Sequence, residues 1–233
     1  MSAPWLAIDT TTDVASVALG TWESSAGHHS VGARQHAAQL LPMIEQILGH
    51  RRVQDLGGIV VGDGPGSFTG LRIGWSAAKG LAQEHGISVL AVPSLLAAAY
   101  EAAAGSPGPV AACFDALRGQ VFGAIYFFPP GRGVETLVAP ALFTVPALAD
   151  AAPVRPVLAI GDGAIRYRDD IAKWIGRPPI DQKPWQSSLA TALLALAPLV
   201  GYPATGEPVY GRPAEAQVKW EKSHGRPLPN PPR

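Results

Sequence analysis

The chain has 233 residues, 47% of them apolar and 15% charged, with 18 basic and 18 acidic side chains and a mean hydropathy of +0.14. A chain of this size buries most of its apolar surface, and its balanced charge offers no basic field that would hold nucleic acid by itself, so if RNA is involved a partner is expected to supply much of the grip. No run approaches the roughly 20 apolar residues that span a bilayer and the N-terminus lacks the pattern of a secretory signal, so a cytoplasmic location is expected.

WLAIDT and VASVALG are two short apolar runs around a Thr–Thr–Asp turn, which predicts a hairpin at the edge of an N-terminal sheet. In GARQHAAQLLPMIEQILGH the apolar Leu40, Ile44, Ile47 and Leu48 recur at spacings of three and four. That spacing predicts an amphipathic helix with Pro42 near its first turn and Gly49 at its end. LGGIVVGDG then reads as a strand, TGLRIGWSAAKGLAQEHG as a helix, ISVLAVP as a strand and SLLAAAYEAAAG as a helix, and this alternation argues for an α/β layer. GSPGP, residues 105–109, is the expected linker.

Beyond it, VAACFDALRGQVFGAIYFF again shows two strands about a polar turn, followed by PVLAIGDGA and the helical SLATALLALAPLV, so the plan of the first half recurs. The only cysteine, Cys113, lies in the first of these apolar runs; it excludes an internal disulfide or a cysteine metal cluster and is expected to be a buried, inert thiol. GEPVYGRPAEAQVKWEKSHGRPLPNPPR loses apolar periodicity, so a return strand or loop is expected near Val209 and Tyr210, then a mobile tail.

The stretch VVGDGPGSFTGLRIGWSAAKGLA, residues 60–82, raises the question of a phosphate loop, since backbone amides between a strand and a helix start favour anions. Gly70 is followed by Leu71 and Arg72, however, and not by the Lys and Ser or Thr of a Walker A loop; the spacing fits no dinucleotide fingerprint either. Ser76 sits inside the helical pattern, which argues against a nucleophile elbow. Each glycine inside a helix costs about 1 kcal/mol relative to alanine, so Gly70, Gly74 and Gly80 need a compensating role. Gly66, Gly70, Gly74 and Ala78 share one helix face and form a smooth strip, for close packing either within the chain or at a subunit interface.

GPGSFTGLRIG, then SAAKGLA and GISVLAVPSL, closely resemble the TsaB (YeaZ) family of bacterial proteins, and LAIDTTTDVASVALG, FDALRGQVFGAIY and EPVYGRPAEAQVKW follow in that family's order. The resemblance covers almost the whole chain. It implies an α/β fold of the actin-like, Hsp70-like and sugar-kinase-like class: two lobes, each a mixed sheet with packed helices. The expected division is residues 1–105 for an N-terminal lobe carrying partner-binding helices, 106–210 for a C-terminal lobe and 211–233 for an extension. The resemblance further implies a non-catalytic scaffold in forming threonylcarbamoyladenosine beside the anticodon of tRNAs that read codons starting with A. Its expected partners are the paralogue TsaD, which carries the transferase site, the ATPase TsaE, and tRNA through the complex, with a homodimer forming when TsaD is missing.

TsaD-like proteins carry an H-x-x-x-H metal pair on the helix after the strand matching SVLAV, whereas Ser94 and Ala98 stand at those places here, so no metal centre is expected. The six histidines are scattered and show no ligand spacing. On the resemblance, Asp9, Thr11 and Thr12 occupy the hairpin where actin-like ATPases bind phosphate and metal, and Gly161 and Gly163 of AIGDGA match a second nucleotide-side loop. These five are read as a vestigial nucleotide site, with no cofactor bound by this chain alone and ATP or ADP held at the level of the complex. Turn formation accounts equally well for the Thr and Asp residues. The expected partner surface comprises Leu40, Leu41, Ile44, Gly70, Leu71, Ile73, Gly74, Ala77 and Ala78, packed against the equivalent helices of TsaD. The chain departs from the family at Ala116 to Gln120 and at Tyr210, Gly211 and Arg212, where Arg118 and Arg212 are read as partner contacts or solvated surface. The rival reading is a stand-alone ATPase or small-molecule kinase, which needs magnesium-holding carboxylates where only Asp9 is well placed.

Overall fold

The computed structural model describes residues 3–31, 36–104, 106, 108–131, 133–180, 184–212 and 223–225, and these build two sheets. Trp5–Asp9 (β1) and Val14–Gly20 (β2) form the expected hairpin, with Asp9 opposite Ser16. This hairpin is central, which corrects the edge expected for it. Ser25–Val31 (β3) pairs antiparallel with β2 on the outside, while Gly58–Gly62 (β4) pairs parallel with β1. The sequence of β3, SAGHHSV, has too little apolar alternation to announce a strand, as suits a solvent-facing edge. Val89–Val92 (β5) lies parallel beside β4, and the two-residue Tyr202–Pro203 (β10) pairs antiparallel beyond it.

One face of this sheet is covered by His36–Leu48 (α1) and Phe68–His85 (α2). Leu40, Met43, Ile44 and Leu48 of α1 interlock with Trp75, Ala78 and Ala82 of α2 over Leu6, Ile8, Val17, Ile59 and Val61. Pro42 sits inside α1, beyond the first turn expected for it. It is tolerated because it and Ala38 are both exposed, so the carbonyl that loses its donor can turn to water.

The other face is covered by Pro184–Val200 (α7), on which Ser94–Ala103 (α3) packs in turn. Leu189, Leu193, Leu194 and Leu196 of α7 are fully buried, each worth about 1.5–3 kcal/mol against exposure. The amide of Ala190 donates to Ser16 Oγ at 3.2 Å, pinning α7 to β2.

The second sheet contains Val110–Asp115 (β6), Val121–Phe127 (β7), Glu135–Phe143 (β8) and Leu158–Ile160 (β9), in the order β8-β7-β6-β9. Val145–Ala151 (α4), Asp162–Arg166 (α5) and Arg168–Ile175 (α6) pack on it, and α3 lies between the two sheets, touching β6 and β7. Cys113 is buried in β6, and burial pushes its thiol up to about 12, as suits an inert side chain. The expected lobe of residues 106–210 needs correction at its end. Residues 184–203 return to the first sheet, where α7 supplies an apolar stripe that covers β1, β2 and β3 on that face.

Candidate functional site

The glycine strip of α2 faces inward. A Cβ at Gly66 would strike Thr11 O, one at Gly70 would strike Thr10 O, and one at Gly74 would strike Thr10 Oγ1, all far inside contact distance. Two hydrogen bonds hold the same contact: Thr10 Oγ1 donates to Gly70 O at 2.7 Å and Ser67 N to Thr11 O at 2.8 Å. The glycines therefore let α2 lie directly against the β1–β2 turn. Ser67 caps the helix, its Oγ accepting from Gly70 N at 3.1 Å. Trp75 Nε1 donates to Gly62 O at 3.1 Å and holds the helix down on the end of β4.

Beneath the turn lies Asp9, fully buried. Its Oδ1 accepts from Thr11 N at 3.0 Å and Thr11 Oγ1 at 2.7 Å, and its Oδ2 accepts from Ser94 Oγ at 2.7 Å. Ser94 thus closes the only carboxylate that the hairpin places in the core. Its Oγ also accepts from Gly64 N at 3.3 Å, so one side chain joins β1, α3 and the loop after β4.

Between the sheets opens a cleft of about 600 Å³, within the range of small-molecule sites. One wall is Thr11, Thr12 and Asp13 of the first hairpin with Gly66 to Thr69; the other is Phe114, Asp115, Leu117 and Phe122 of β6–β7 with Asp162 and Arg166 of α5; Tyr210 and Arg212 close the rim. Asp162 Oδ1 accepts from Asp115 N at 3.0 Å and Gly163 N at 2.9 Å. Burial, reinforced by the charges of Asp115 and Asp13, raises its carboxyl to about 6 against these two bonds. Asp115 pairs with Arg166 at 2.9 Å and accepts from Leu117 N at 2.9 Å. The turn that follows carries Leu117 and Arg118 at φ +62 and +54, the left-handed region that non-glycine residues seldom occupy.

Tyr210 and Arg212 belong to one continuous segment, residues 202–212, that leads from the edge of the first sheet to the rim. Tyr202 donates its hydroxyl to Asp63 Oδ2, and Val209 N donates to Asp63 O at 2.9 Å. Burial raises the Asp63 carboxyl, with the bonds from Tyr202 and Val209 opposing it. Tyr210 stacks on Phe68 with ring centroids 4.5 Å apart and accepts from Arg72 Nε at 3.1 Å, while Arg212 donates to Ala116 O at 2.8 Å.

Of the residues expected at a partner surface, Leu40, Ile44, Gly70, Leu71, Gly74 and Ala78 are buried inside the chain. That part of the expectation is corrected: shared helix spacing identified one face but not the side it turns to. Leu41 is 51% exposed, and Ile73 and Ala77 are half-buried, so these three do reach the surface. Beside them Gly80 is exposed with open space around its Cβ position. Thr11 and Thr12 line the cleft, whereas Asp9 does not reach it. Gly161 and Gly163 are small for packing: a Cβ on either would collide with the backbone of Cys113 or of Phe114 and Asp115. Asp9 has both oxygens engaged by Thr11 and Ser94, while Asp162 and Asp115 place two carboxyl groups at the cleft floor. Among the described residues no group of three His, Cys, Asp or Glu side chains converges on a metal-sized point. Sequence reasoning missed the Asp9–Ser94 bond, the Asp63 clamp and the cleft role of Asp13, Asp115 and Arg166; the recurring strand–turn–strand plan was the signal that two turns would face one another. Arg212 bonds within the chain, and Arg118 lies in the left-handed turn. Arg52, on the surface before β4, pairs with Asp55 at 3.0 Å.

Two mixed sheets, each opened by a hairpin, thus face one another across a cleft. A family model described as "TsaD: tRNA N6-adenosine threonylcarbamoyltransferase" matches residues 29–149. The chain is 37% identical to the tRNA threonylcarbamoyladenosine biosynthesis protein TsaB of Escherichia coli strain K12, over 52% of this chain and 54% of that protein. To its namesake in Bacillus subtilis strain 168 it is also 37% identical, over 54% of this chain and 56% of that one. It thus spans about half the length of the curated relatives it matches. Among solved structures, YeaZ from Pseudomonas aeruginosa superimposes with a TM-score of 0.59 at 27% identity, over 76% of this chain and 91% of that one. Another Pseudomonas aeruginosa chain, described as similar to peptidase YeaZ, reaches 0.64 at 27% identity, over 91% and 100%. The chain belongs to this TsaD-type family, among its TsaB/YeaZ members.

Proposed function

We propose that the chain acts in tRNA threonylcarbamoyladenosine biosynthesis as a non-catalytic scaffold that dimerises with TsaD. The complex, with TsaE supplying ATPase activity, would modify the adenosine beside the anticodon in tRNAs reading codons that start with A. The observation that carries this reading is α3. Ser94 and Ala98 are both buried there, and Ser94 is spent on Asp9, so these two positions serve the core. The surface offered to a partner is the outer face of α1 and α2, where Leu41, Ile73, Ala77 and Gly80 leave a low, mostly apolar relief for another helix. The same face would join two copies of this chain when TsaD is missing.

The test mixes the purified chain with TsaD from its own organism, follows association by light scattering, and assays tRNA modification with TsaE, ATP and the threonylcarbamoyl donor. Complex formation, and modification that requires this chain, are expected. Gly80→Arg should stay folded while abolishing both. No association and no effect on modification would remove the scaffold reading and leave the stand-alone ATPase or kinase to be tested by nucleotide hydrolysis. Light scattering of the chain alone checks the homodimer.

A further inference from the structure

The segment between β10 and Arg212 crosses from one sheet to the other, and its anchors are of a kind that loops seldom carry. It leaves the first sheet at Ala204, whose amide donates to Val89 O at 3.0 Å. Asp63 then grips it twice, through Tyr202 and through Val209, each on a different carboxylate oxygen. Gly64 makes room for this crossing, since a Cβ there would meet Val209 O. Further on, the Tyr210 ring lies on Phe68 while the Arg72 guanidinium sits 4.2 Å from the Phe68 centroid and bonds the Tyr210 hydroxyl, clamping the segment to the first turns of α2. The last anchor is on the other lobe: Arg212 bonds Ala116 O, in the residue that opens the left-handed turn, and its guanidinium lies 6.0 Å from the Phe122 centroid.

We propose that residues 202–212 form an interlobe strap that couples the N-terminal end of α2 to the β6–β7 turn, making helix position and cleft opening a single motion. The turn is where such coupling can act. Leu117 and Arg118 are held at positive φ, a conformation that persists only under outside constraint, and Arg212 supplies one such constraint from the strap. Because Ser67 and Leu117 line opposite walls of the cleft, a displacement of α2 reaches the far wall through Tyr210 and Arg212.

Hydrogen exchange on the full chain tests the coupling, with Arg212→Ala and Tyr210→Ala as the two variants. Both side chains lie at the rim, outside the three buried clusters. Losing one charge-assisted bond or one ring contact should weaken local protection about ten-fold. A strap predicts that either variant speeds exchange at both ends, in residues 67–71 and in residues 116–120, while β1 and β4 keep their rates. If each variant loosens only its own end, or neither end changes, the strap does not transmit and the proposal falls.

Discussion

At Gly74 the missing side chain matters because Thr10 Oγ1 already occupies its place. Gly74→Ala should cost about 1–3 kcal/mol in urea unfolding, the usual cost of overpacking, and Gly74→Leu should fail to fold; a folded Gly74→Leu that merely lost a partner would restore the strip as an interface. Asp162 gives a prediction in pH. Its carboxyl rises from 3.8 to about 6 in the fold, so the folded state favours the protonated form. The stability this contributes is complete below the unfolded-state value and is lost as pH climbs through about 6. Asp162→Asn keeps an oxygen for the amides of Asp115 and Gly163 and carries no charge. It should gain roughly 1–3 kcal/mol at pH 8 and flatten the slope of melting temperature between pH 4 and 7. An unchanged slope would mean that the carboxyl titrates normally.

The helix α2 has two unlike faces. Inward it presents Gly70, Gly74 and Ala78; outward it presents Ser76, Lys79 and Gly80, with Ile73 and Ala77 between. Gly80 touches nothing, so Gly80→Ala should raise the stability of the isolated chain by about 1 kcal/mol through helix propensity, as chemical denaturation would show. The existence of α2 was legible from its period and from the closing Gly86, because these depend on local chemistry. Which face was buried was not, since the smallest residues, usually a surface device for helix contact, here meet the chain's own turn. Edge strands were also illegible: β3 is nearly all small or polar, and β8, ETLVAPALF, carries an exposed Pro140 that breaks any alternation. Of the candidate site, the sequence located both turns but not the carboxylates around them, whose role depends on what lies across the cleft.

For the molecule as a whole, the repeated hairpin-then-helix plan disclosed two sheets, while the return of α7 and β10 to the first was hidden, because an apolar helix does not declare which sheet it covers. A fragment of residues 1–105 lacks α7 and leaves β2 and α3 bare on that side. It should show no cooperative thermal transition by circular dichroism, and a sharp one would mean that the first sheet is self-sufficient.

The late position of α7 bears on how the chain is made. Residues 110–175 can assemble their sheet as soon as they leave the ribosome, since every strand of that sheet lies within the stretch. The strands that emerge first must wait with one apolar face uncovered until about residue 200 has been synthesised, so during translation the N-terminal half is the one in need of a chaperone.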